Sequence, residues 1–112
     1  VKPKNVGTVS IPGFESLTVQ SGKIRQKLVF FNPEENNCYF RILLILPDGT
    51  VIWESELIPP GMQTEYIDLI KPIERGTYEG CALVYSVFAD KNGKEALNGA
   101  KTLLTVFARK TA

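Results

Sequence analysis

Residues 38–50 read Cys38-Tyr39-Phe40-Arg41-Ile42-Leu43-Leu44-Ile45-Leu46-Pro47-Asp48-Gly49-Thr50. Cys38, Phe40, Ile42, Leu44 and Leu46 share one side of a period-two pattern, and Tyr39, Arg41, Leu43 and Ile45 share the other. This is the most apolar stretch of the chain and reads as a central strand. Pro47-Asp48-Gly49-Thr50 is turn chemistry, because proline presets φ and glycine accepts the left-handed region. The chain is therefore expected to return antiparallel over 51–54, as a hairpin arm that carries Trp53.

Downstream, Pro59-Pro60-Gly61 forces a corner before a strand at 63–69, and Lys71-Pro72 ends that strand ahead of a second corner at Glu74-Arg75-Gly76. The last two strands are expected at 77–88 and 101–107. Between them, Asn92-Gly93 and Asn98-Gly99 read as turns that use positive φ. Upstream, 32–37 (Asn-Pro-Glu-Glu-Asn-Asn) is a solvated loop by composition. Before it lies a strand at 23–31, with Ile24, Gln26, Leu28 and Phe30 on one face and Lys23, Arg25 and Lys27 on the other. Ser21-Gly22 ends a strand at 16–19, and Pro12-Gly13 separates that from a strand at 8–11, a break typical of a sheet edge. No segment has a helical period. The reading is all-β, with seven or eight antiparallel strands in two sheets.

The chain has 112 residues, enough to bury one core and not two. Residues 6–109 are expected to form that domain, with 1–5 as a polar lead-in or tether and 110–112 as a tail. Thirteen basic residues against 12 acidic ones, interspersed, leave no positive field to gather nucleic acid or anionic lipid. No apolar run is long enough to span a bilayer as a helix. The chain begins at Val1, so the expectation is that a signal peptide, a membrane anchor, another domain or a tag preceded it. Any membrane attachment would run through such a missing anchor.

The corner Gly76-Thr77-Tyr78 opening a strand, with Cys38, Trp53, Tyr78 and Cys81 in that order, resembles an immunoglobulin-like or fibronectin III-like β-sandwich with its tyrosine corner. The resemblance implies that the Tyr78 hydroxyl bonds backbone within 70–75. The family spaces its tyrosine two residues before the cysteine, whereas Tyr78 and Cys81 are three apart and would face opposite ways on a regular strand. A bulge at Gly80 is what would bring both inward. Asn32-Pro33-Glu34 with Asn36, Cys38-Tyr39-Phe40, Pro60-Gly61, Gly76-Thr77-Tyr78 and Leu97-Asn98-Gly99 also resemble small membrane-anchored or secreted proteins of Gram-positive bacteria. That implies a place outside the cytoplasm, at the cell surface or secreted.

Cys38 and Cys81 stand as either a disulfide, worth roughly 4 kcal/mol for a loop of this length, or two buried free thiols. The chain has no histidine. That removes the usual zinc sets, cysteine nucleophiles with a histidine base, and serine triads. The carboxylates Glu34, Glu35, Glu54, Glu56, Glu65, Asp68, Glu74 and Glu79 read as solvated charge. Glu34, Glu35, Asn36 and Asn37 with Asp90 and Asn92 are the calcium candidates, without the spacing of a dedicated calcium loop. No cofactor is called for. Tyr39, Tyr85 and Trp53 are the candidate ligand-facing aromatics, although Trp53 also suits a plug between sheets. The function expected is a non-catalytic extracytoplasmic binding or structural module, its partner a protein or a cell-envelope glycan. A carbohydrate-binding or adhesive domain and a proteinase inhibitor are the alternatives.

Overall fold

The structure, a computed structural model, describes residues 15–110. The strand expected at 8–11 and the break at Pro12-Gly13 lie outside the described residues. The strands are β1 (Ser16–Gln20), β2 (Arg25–Lys27), β3 (Tyr39–Ile45), β4 (Val51–Glu54), β5 (Tyr66–Asp68), β6 (Gly76–Phe88) and β7 (Ala96–Arg109). No helix occurs among the described residues. Five strands form an open sheet in the order β1-β7-β6-β3-β4, and β2 with β5 forms a small second sheet.

β3 takes its central place because its inward side chains Phe40, Ile42 and Leu44 are wholly buried, and it pairs antiparallel with β4 on one side and β6 on the other. The turn after it closes through Leu46 N to Thr50 O (2.8 Å) and Gly49 N to Leu46 O (2.9 Å), with Gly49 at φ 91°. The return arm is not regular. Leu44 pairs with Trp53 and Ile45 with Val51, so Ile52 is an extra residue. The bulge turns both Ile52 and Trp53 into the core. It also frees the Ile52 carbonyl to accept from Ile70 N at 2.7 Å, which ties β4 to the end of the small sheet.

Four elements differ from the sequence expectation. β1 pairs parallel to β7, against an all-antiparallel reading; no hairpin joins these distant segments, so no turn imposes the antiparallel sense. The strand expected at 23–31 is regular only over Arg25–Lys27. Beyond it the Thr64 hydroxyl enters the ladder, accepting from Phe30 N (2.9 Å) and donating to Leu28 O (2.8 Å). The 63–69 strand shrinks correspondingly to Tyr66–Asp68, with one isolated bridge between Phe31 and Gln63. β7 instead begins at Ala96 and absorbs Asn98-Gly99, which lies at a second bulge opposite Ser86 and not in a turn. A Cβ on Gly99 would collide with the Tyr85 carbonyl oxygen, so close backbone approach explains that glycine.

The core lies between the sheets. Phe30 from the small sheet's side stacks on Trp53, with ring centroids 4.9 Å apart, and Phe40 meets Tyr85 edge-on at 5.4 Å. Two buried amides close the ends. Gln26 copies a strand backbone against Gln20, accepting from its N (2.8 Å) and donating to its O (2.9 Å). Asn32 Nδ2 donates to the carbonyls of Cys38 (2.7 Å) and Ile58 (2.9 Å), while its Oδ1 accepts from Asn36 (2.9 Å). The 32–37 loop is therefore fastened inward by Asn32 and Asn36, and only part of it is the solvated turn that its composition indicates.

Candidate functional site

The Tyr78 hydroxyl donates to the Glu74 carbonyl at 2.7 Å, within the 70–75 segment, as β6 leaves Gly76. Tyr78 pairs with Val106 and Cys81 with Leu104, so Glu79 and Gly80 together oppose one residue, with Gly80 at φ 80°. That bulge lets Tyr78 pack against the core while Cys81 is fully buried. Cys38 and Cys81 are both buried and free. Burial pushes both thiols up, so neither carries a reactive thiolate.

The candidate aromatics do not share an exposed face. Trp53 and Tyr85 are inside, 5% and 1% exposed, and burial raises the Tyr85 phenol to about 12. Tyr39 is half-buried on the opposite side of the sheet. The carbohydrate-binding alternative thus loses the aromatic strip that motivated it.

No group of three or more metal-binding side chains occurs among the described residues. Asn36, a calcium candidate, is buried and gives its amide to Asn32. The Asp90 carboxylate is occupied by its own loop, accepting from Glu95 N (2.7 Å), Lys94 N (2.9 Å) and Asn92 N (3.2 Å), and these amides hold its pKa below the usual range. Asp68 is likewise held down by Arg25, 3.0 Å away in an exposed ion pair.

Beyond the single candidate residues, the large sheet has an outer face of its own. Since Phe40, Ile42 and Leu44 of β3 and Leu83, Tyr85 and Val87 of β6 point inward, the alternate residues form the outer face of the large sheet. Across β4-β3-β6-β7 the register aligns Val51, Ile45, Ala82 and Leu103 in one row. The next row is Glu54, Leu43, Val84 and Lys101. Beyond it Arg41 faces Ser86 and Tyr39 faces Phe88, with the Arg41 guanidinium 5.6 Å from the Phe88 ring centre. The small sheet covers only the inner side, where Phe30 meets Trp53. The outer face is therefore apolar along its middle, with Leu103 at 65% and Val51 at 37% exposure at its margins, Ile45, Leu43 and Val84 half-buried between them and Ala82 buried.

An antiparallel sheet with one wet face ordinarily alternates apolar with polar residues, and strands apolar on both sides are those covered on both sides. The signal was present in the sequence, in the double-sided apolarity of 38–46 and 81–88. A shallow groove of about 480 Å³ lies at the far ends of β6 and β7, lined by residues of both faces, Phe88 and Leu97 among them, with Lys101 its one charge. No protein-family model, no curated protein and no solved structure matches the chain.

Proposed function

We propose that the chain is a non-catalytic, immunoglobulin-like interaction module that binds a protein through the outer face of its five-stranded sheet. The observation that carries this reading is the mismatch between β3 and β6, apolar on both sides, and the single side that the small sheet covers. The fold assignment is supported by the strand order β1-β7-β6-β3-β4 against β2-β5. That is the order of a sandwich in which an additional strand joins the sheet of its last two strands, and the Tyr78 corner agrees with it. The non-catalytic part rests on the chain's lack of histidine and on carboxylates that read as solvated surface charge. A place outside the cytoplasm rests on the turn-motif resemblance alone, and buried free cysteines suit either compartment.

An environment-sensitive dye such as anilinonaphthalene sulfonate reads the face directly. The folded chain is expected to brighten it, and Leu43→Lys with Val84→Lys is expected to abolish the signal. Both lysines can extend to water, so stability should change by no more than about 1 kcal/mol. A folded wild-type chain that leaves the dye dark would sink the reading.

A further inference from the structure

We infer that the occupant of the outer sheet face is a second copy of this chain, related by a two-fold axis that runs parallel to the strands between β3 and β6; this rests on the interaction-face reading and names its partner. A two-fold contact requires one patch to complement itself. Rotation about an axis along the strands exchanges β3 with β6 and β4 with β7, so each residue meets the one at the mirrored place in its own row.

In the row Glu54, Leu43, Val84, Lys101, that operation sets Glu54 against Lys101 of the second copy and Leu43 against Val84, each twice. Glu54 and Lys101 are exposed and have no ion pair within the chain among the described residues. In the neighbouring row Val51 meets Leu103 and Ile45 meets Ala82. Farther along, Arg41 meets Ser86 and Tyr39 meets Phe88. An axis in the sheet plane but across the strands would instead set Glu54 on Glu54 and Lys101 on Lys101. Like charges face to face disfavour that packing, so the charge order selects the strand-parallel axis. Two twisted sheets can meet in this way at the usual aligned angle of about 30°.

Four strands about 4.8 Å apart and a span of about 20 Å along them outline roughly 400 Å² per copy. Stable complexes bury about 800 Å² per partner, so the dimer is weak, with dissociation between ~10 µM and ~1 mM.

Sedimentation equilibrium over that concentration range tests the proposal. The apparent mass is expected to rise from 12.5 kDa towards twice that value. Glu54→Lys and Lys101→Glu, each creating two like-charge contacts, should weaken association by about tenfold. The double reversal should restore it. Both positions are exposed, and an unchanged circular dichroism spectrum identifies variants that fold. A chain that stays monomeric to ~1 mM, or a double reversal that fails to regain association, overturns the inference. A monomer that still brightens the dye keeps the interaction face and assigns it to a different protein, whereas a dark monomer removes both.

Discussion

Asn32 has every polar group matched. Its N donates to Met62 O (3.0 Å), its carbonyl accepts from Gly61 N (2.7 Å), and its side chain serves Cys38, Ile58 and Asn36. Buried polar groups are expensive when unpaired, so the network specifies how the 32–37 loop docks. Asn32→Ala withdraws two donors from buried carbonyls and should cost about 3 kcal/mol in urea unfolding. Asn32→Asp should cost at least as much, because it turns acceptors towards acceptors in a dry site. A loss under about 1 kcal/mol for Asn32→Ala would mean that water replaces the amide. The exposed Glu34 and Glu35 match what Pro33 and the charges announce locally. The burial of Asn32 was not legible, because its partner carbonyls come from residues 38 and 58 and a residue's burial depends on what the rest of the chain brings to it.

At the scale of elements, β6 and β7 owe their length to two irregularities that local patterning treats differently. The step from Tyr78 to Cys81 made a bulge at Gly80 readable, because two inward residues three apart need one extra residue between them. Asn98-Gly99 carries the same dipeptide signal as Asn92-Gly93, yet only Gly93 takes positive φ, at 67°, while Gly99 serves contact with Tyr85 across the pair. Composition cannot distinguish those uses of glycine, which is why β7 reads too short in the sequence. The two strand glycines should accordingly differ on substitution. Gly80→Ala meets no neighbour within 4 Å and has only its φ of 80° to pay for, about 1–2 kcal/mol. Gly99→Ala must part the β6–β7 backbones and should cost more than twice that in thermal or urea unfolding. Equal losses at the two sites would contradict the close approach.

For the whole molecule, the stability of the two sheets should be unequal. β6 lies between β7 and β3, with Cys81, Leu83, Tyr85 and Val87 buried beneath it. The small sheet has three regular ladder pairs, continued irregularly by the bonds of Thr64 to Leu28 and Phe30, and single bonds tie its margins: Gly22 N to Ile73 O (3.0 Å), Leu69 N to Ile24 O (2.9 Å) and Ile70 N to Ile52 O (2.7 Å). Its main apolar attachments are the Phe30–Trp53 stack and the buried Ile67 and Leu69. A unit with few ladder bonds and exposed edges opens at lower free energy than a central strand, without global unfolding. Native-state hydrogen exchange should therefore show the backbone of 24–31 and 63–70 exchanging well before that of 81–88. The difference should widen in Trp53→Phe if the stack limits opening, since that change lowers the opening free energy of the small sheet alone, and stay unchanged if the stack does not. The first comparison is decisive for the fold. Equal protection across both segments and β6 would mean that the sheets open as one cooperative unit, with the small sheet held by more than these bonds and the stack.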